Sequence, residues 1–174
     1  MLNYRNFSDK DINLILKNMV ILIDKKEKTD HIKQWLSYKN RCEYMDFSLS
    51  QGDYSFMIKP VPELGITEEL FFDRHICIEK KSGLDEISQN FTKHRARFEH
   101  ELSAYPGKMV ILIEDSWSNL FQGNYRANYN RKSFIGSVMA FYHRYDVPFH
   151  FQKKEEMGVF IYTFFRYWLR ERLK

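Results

Sequence analysis

The stretch HICIEKKSGLDEI (His75–Ile87) decides how the chain is read. Its first part, HICIEK (His75–Lys80), is a short run with apolar, β-branched members that fits a buried strand. Beyond it, Leu84, Ile87, Phe91, Phe98 and Leu102 recur at helical spacing on one face, which predicts a helix ending before Pro106-Gly107. Side chains two residues apart on a strand leave the sheet on the same side, so Glu79 and Lys81 share a face. An isolated Glu-x-Lys is most often an exposed strand end with surface ion pairs. The surrounding pattern therefore has to carry any functional argument.

Upstream, Ser8 is placed to cap a helix through about Met19, and VILID (Val20–Asp24) reads as a buried strand. A helix over Thr29–Lys39 follows. EYMDFSL (Glu43–Leu49) and DYSFMI (Asp53–Ile58), joined by the turn-like Gln51-Gly52, read as neighbouring strands, and Pro60, Pro62 and Gly65 mark a loop. Downstream, KMVILIE (Lys108–Glu114) is a strand, Ser133–Tyr145 a helix, VPFHFQ (Val147–Gln152) a strand and Glu155–Leu173 a final helix. Strands alternating with helices predict an α/β domain with a mixed, helix-covered sheet.

The 174 residues suit one domain, residues 1–174, with 1–19 as an N-terminal helical extension. No apolar run approaches the roughly 20 residues that span a bilayer, and the N-terminus lacks the order of a signal peptide, so the expectation is a cytoplasmic protein without a membrane partner. Cys42 and Cys77 have no metal-pair spacing and read as inert, and the histidines show no zinc-ligand spacing. The wealth of Lys, Asn, Ile, Tyr and Phe leads to the expectation of an AT-rich bacterial or phage genome as the source. A net charge of +4 admits nucleic acid as a partner, and its distribution says more than its size. No Asp or Glu occurs between Ser116 and Tyr145, which holds Arg126, Arg131 and Lys132, nor between Ile87 and Phe98, which holds Lys93, Arg95 and Arg97.

Asp53 follows a glycine at the start of a strand, and a neighbouring strand brings its carboxylate alongside Glu79. Two strand-borne carboxylates near a lysine suit metal-assisted phosphodiester hydrolysis: they hold a hard cation, which lowers the pKa of a water and offsets charge on the phosphate. Lys81 is placed to orient or deprotonate that water or to stabilise the transition state. The segments ILIDKKE (Ile21–Glu27), Gly52-Asp53-Tyr54 and IEKKSGLDEI (Ile78–Ile87) occur in order on the expected strands. Together they resemble the XPF-type nuclease family, a branch of the PD-(D/E)xK superfamily, whose hallmark is GD, a gap, ERK, three residues and D. Asp24-Lys25-Lys26-Glu27 is similar to that family's VDxRE element, and RFEHEL (Arg97–Leu102) and VILIE (Val110–Glu114) to its next helix and strand.

The resemblance implies a restriction-endonuclease-like domain with a central mixed sheet flanked by helices, residues 20–174 forming the nuclease core. It also implies a DNA endonuclease dependent on Mg²⁺, with Mn²⁺ as a substitute, acting on branched, gapped or otherwise structured DNA in recombination, repair or replication. Asp53 and Glu79 are then the metal ligands, Lys81 the catalytic lysine, Asp24 and Glu27 further acidic members of the catalytic set, and Lys26, Lys80 and Asp85 supporting residues. Two departures stand out. Lys26 and Lys80 replace family arginines, keeping the charge and losing the planar fork. No helix-hairpin-helix modules follow the last helix, so the expectation is a stand-alone nuclease domain that takes DNA-structure specificity from a protein partner. Non-catalytic scaffolding and restriction-type cleavage are the alternatives.

Flanking phosphates are expected to meet Lys93, Arg95, Arg97, Arg126, Arg131 and Lys132. Between Ser116 and Lys132, Trp117, Phe121, Tyr125 and Tyr129 either stack on bases or pack a long loop onto the core. The last helix carries Phe160, Ile161, Phe164, Phe165 and Trp168, a wider apolar surface than one core face needs, which suggests a homodimer through the C-terminal helices.

Overall fold

The computed structural model of the chain describes residues 7–174; the first six residues of the expected N-terminal extension lie outside them. In chain order the elements are α1 (Asp9–Lys17), β1 (Met19–Asp24), α2 (Asp30–Ser37), β2 (Glu43–Phe47), β3 (Tyr54–Ile58), β4 (Leu70–Phe71), β5 (Ile76–Lys81), α3 (Leu84–Phe91), α4 (Arg95–Ala104), β6 (Lys108–Glu114), α5 (Trp117–Gln122), α6 (Arg131–Tyr145), β7 (Phe149–Gln152) and α7 (Met157–Leu173). Two units share them. One comprises the chain up to Ser50, Tyr54–Asp73 and Gly158–Lys174, the other Gln51–Asp53 and Arg74–Met157.

In the first unit Ser8 caps α1 as expected, its Oγ accepting the Asp11 N–H while the Asp11 carboxylate accepts the Ser8 N–H. β1 is buried along its whole length and lies between β2, which runs parallel to it, and β3, which runs antiparallel. The expectation that the β2 and β3 segments are direct neighbours is therefore wrong. An apolar run with both faces covered belongs inside a sheet, and MVILID is the most apolar of the three. The two-residue β4, absent from the sequence reading, pairs with β3. Much of the wide apolar surface of α7 is used within this unit. Phe165 and Trp168 pack on Phe56, at ring-centroid distances of 5.4 and 5.8 Å, and Phe72 stacks on Phe56 at 4.6 Å. A Cβ on Gly158 would come within 2.8 Å of the Trp35 side chain, so α7 begins at a point of backbone-to-ring contact.

In the second unit β5, β6 and β7 are parallel, with Ile76 opposite Lys108 and Ile111 opposite Phe149. Cys77, Ile111 and Ile113 face Leu84, Ile87 and Phe91 of α3, Phe98 of α4 and Phe134, Val138 and Phe141 of α6 in one buried cluster. The single helix expected from Leu84 to Leu102 is two helices with a break at Thr92–His94. The Thr92 hydroxyl donates to the Ser88 carbonyl, a local bond that competes with helix continuation. Phe91 and Phe98 meet edge to face at 6.1 Å on either side of the break, so the apolar spacing survives although the helix does not. Residues 116–132 contain α5, capped by Ser116, where a long loop was expected.

Candidate active site

The site is built from Gly52. Its φ of +77° belongs to the left-handed region, and a Cβ there would lie 2.9 Å from both Cβ and Sγ of Cys77. With no side chain it brings the backbone against β5, where the Asp53 N–H donates to the Ile78 carbonyl at 2.8 Å. The Asp53 carboxylate then accepts the Lys80 N–H through Oδ2 at 2.7 Å. That N–H lies on the β5 backbone between Glu79 and Lys81, so the Asp53 carboxylate is seated against this stretch of β5.

Glu79 and Lys81 share a face of β5, with Lys81 Nζ 2.6 Å from Glu79 Oε1. Lys81 is only 6% exposed, and its ammonium also lies 3.6 Å from Glu86 Oε1 and 5.8 Å from the centre of the Phe98 ring. Burial works against its charge, but Glu79 first, then Glu86 and Asp53, more than offset this and hold Lys81 above the ordinary lysine range. The surrounding carboxylates thus favour the charged form of Lys81. Glu86 was not singled out from sequence. Burial pushes its carboxyl up, and the Ser82 N–H and hydroxyl, with Lys81, outweigh that and leave it below the usual range. Its signal was the Ser82-to-Glu86 spacing across a helix start, where a carboxylate reaches back to uncapped N–H groups.

The other expected members have partners of their own. Lys80 leaves the opposite face of β5 and reaches Glu114 at 3.6 Å. Asp85 accepts the N–H groups of Arg126 and Ala127 and the Arg126 guanidinium. Asp24, Lys26 and Glu27 belong to the first unit. There Asp24 accepts the N–H groups of Lys26 and Leu49 at the end of β1, Glu27 accepts the Thr29 hydroxyl, and Lys26 is exposed.

Among the basic residues, Lys93, Arg131 and Lys132 are exposed. Arg97 is exposed, pairs with Glu101 at 2.7 Å and is held above the ordinary arginine range by Glu101 first, with Glu79 contributing. Arg95 pairs with Glu99, which Arg144 also reaches, and its guanidinium lies 5.4 Å from the Phe141 ring centre. The stacking alternative for residues 116–132 gives way to packing. Trp117, Tyr125 and Tyr129 lie against the buried cluster, and Phe121 alone of the four is exposed.

Among the described residues no three Asp, Glu, His or Cys side chains close into a metal cage. Mg²⁺ does not require one, because it keeps several waters and is commonly held by one or two carboxylates together with substrate phosphate. Asp53, fixed by the Lys80 N–H, and Glu79, turned to the same side as Lys81, supply the hard oxygen donors such an ion takes. The donor chemistry fits a divalent cation.

Fold and motif together place the chain in the restriction-endonuclease-like class, as expected from sequence. The chain belongs to the ERCC4 domain family, whose domain matches residues 23–164. Among solved structures it is similar to XPF from Aeropyrum pernix, with 15% identity over 85% of this chain and 60% of that one, at a TM-score of 0.62. It is also similar to the complex of XPF from Aeropyrum pernix with DNA, with 14% identity over 89% of this chain and 67% of that one, again at 0.62. The chain thus spans 60% of the length of the first of these structures. No curated protein matches the sequence. At such identities the likeness concerns the fold alone: α/β, with a mixed sheet flanked by helices. Among the described residues no helix is long and apolar enough to cross a membrane.

Proposed function

We propose that the chain is a metal-dependent DNA endonuclease that hydrolyses phosphodiester bonds at Asp53, Glu79 and Lys81. The observation that carries this reading is the Asp53 carboxylate held on the β5 backbone beside the Glu79–Lys81 pair. Asp53 and Glu79 are the residues to hold Mg²⁺ or Mn²⁺, which when bound supplies Lewis-acid stabilisation and a more acidic water. Lys81 enters as a cation. It donates hydrogen bonds and offsets charge growing on the scissile phosphate, in a setting where burial strengthens such interactions. Glu86 holds Lys81 in place from α3. Arg97, at the margin of the same acidic cluster, is the nearest candidate for a flanking phosphate.

The substrate in this reading is branched, gapped or otherwise structured DNA in repair, recombination or replication. The known complex of Aeropyrum pernix XPF with DNA supports DNA as the ligand class. The proposal extends to a cytoplasmic homodimer paired through the C-terminal helices and to a protein partner that supplies structure specificity. Light scattering tests the pairing. Incubation with supercoiled plasmid and with branched and gapped duplexes in Mg²⁺ or Mn²⁺ tests the chemistry. Cleavage is expected, with a loss of about 10²-fold or more in Asp53→Ala and in Lys81→Ala. Full cleavage by both variants would remove the assignment. DNA binding without metal-dependent cleavage would favour a scaffolding subunit.

A further inference from the structure

Asp85 is the last acidic member of the hallmark on β5 and α3, yet the structure gives it other work. Its Oδ1 accepts the Arg126 N–H at 2.9 Å and the Ala127 N–H at 2.8 Å, and its Oδ2 accepts Arg126 Nε at 3.1 Å. Three donors from one segment, 41 and 42 residues away in sequence, therefore converge on one carboxylate. The residue before Arg126 is anchored as well. Tyr125 meets the Phe134 ring edge-on at 5.1 Å, and its hydroxyl donates to the Tyr129 carbonyl.

With Tyr125 turned inward and Ala127 bound to Asp85, Arg126 is directed outward, and its side chain is 95% exposed. Its guanidinium is tethered through Nε alone, and among the described residues its Nη groups make no hydrogen bond within the chain. An arginine held by Nε with both Nη groups presented is a fork set for a phosphate. It stands at a pocket of about 270 Å³ lined by Ser82, Gly83, Asp85, Glu86 and Tyr125, among others. Ser82 follows Lys81 directly, and Glu86 contacts Lys81, so the pocket borders the candidate active site.

We propose that Asp85 is a positioning residue: it locks the segment through Ala127 so that Arg126 presents a preformed fork to a DNA backbone phosphate beside the site. This rests on the nuclease reading for its substrate class, and it separates the role of Asp85 from metal binding. Asp85 acts through Arg126, and the two residues form one unit in DNA binding.

The test uses the full chain and a fluorescein-labelled gapped duplex. Binding is measured in EDTA across a salt series, and cleavage kinetics in Mg²⁺. Asp85→Asn and Arg126→Ala are each expected to weaken binding about three- to tenfold and to lower the salt dependence by about 0.9, the share of one phosphate contact. The double variant should bind no worse than Arg126→Ala, and in Mg²⁺ the loss should fall on KM rather than kcat. Arg126→Lys keeps the charge but not the fork, and it should lose most of the same affinity whether or not Asp85→Asn folds.

Additive losses in the double variant would overturn the proposal. So would a fall in kcat with unchanged binding in Asp85→Asn, near-normal affinity in Arg126→Lys, or no binding of the duplex by the unaltered chain. Because binding is read without metal, coupled losses in a chain that never cuts would uphold the Asp85–Arg126 unit and sink the nuclease reading alone.

Discussion

Replacing Gly52 by alanine attacks the site at its foundation while touching none of its charges. At φ +77° an L-residue incurs left-handed backbone strain of about 1–2 kcal/mol. The new methyl would also lie 2.9 Å from Cβ and Sγ of Cys77 and 3.1 Å from the Ile78 carbonyl oxygen. Cys77 is fully buried in a strand and has little room to yield, so overpacking adds about 1–3 kcal/mol. The total, about 2–5 kcal/mol, corresponds to a drop of roughly 4–20 °C in Tm for a chain of this size. Calorimetric melting measures it, and amide exchange at Lys80 reports whether the bond to Asp53 is lost with it. Adding Cys77→Ala removes Sγ and leaves Cβ, so it should recover part of the loss and make the two changes non-additive. An unchanged melting temperature in Gly52→Ala would refute the reasoning, because the close approach that seats Asp53 would then not exist.

Other consequences follow from the same contacts. Gly136 lies within α6 and a Cβ there meets nothing within 4 Å, so Gly136→Ala should stabilise the fold by about 0.5–1 kcal/mol, read from the same melts. The carboxyl of Glu86 titrates lower folded than unfolded, so its contribution is present above the unfolded pKa of about 4.3 and is lost as pH falls through the folded value. The stability gap between the wild type and Glu86→Gln should accordingly be constant at neutral pH and close in acid, as chemical unfolding across pH would show. Burial pushes the Cys42 thiol up to about 11, so at pH 8 it should react with iodoacetamide far more slowly in the native chain than in urea.

The parts of the fold that were legible in sequence are those where local pattern and tertiary environment agree. VILID, KMVILIE and HICIEK are apolar because both faces are covered, and each is a strand within a residue or two of its expected bounds. Order within the first unit was not legible, because a turn between two runs suggests a hairpin and says nothing of a third strand inserted between them. The α3–α4 break escaped notice because Phe91 and Phe98 keep helical spacing across it. At the site, strand periodicity was enough to set Glu79 beside Lys81 and Lys80 opposite. The partners of Asp85, expected only as a supporting residue, were not legible because Arg126 and Ala127 are distant in sequence, and Glu86 was missed because its approach to the buried Lys81 ammonium depends on how α3 packs beside β5.

The central claim is that Asp53 and Glu79 form one cation site with Lys81 beside it. A crystal structure of the chain grown in Mn²⁺, with anomalous data at the manganese edge, tests this most directly. The account predicts an anomalous peak bound by both carboxylates, abolished in Asp53→Asn, with Lys81 Nζ still at the site. Manganese bound elsewhere, or a site that persists unchanged without the Asp53 carboxylate, would contradict it.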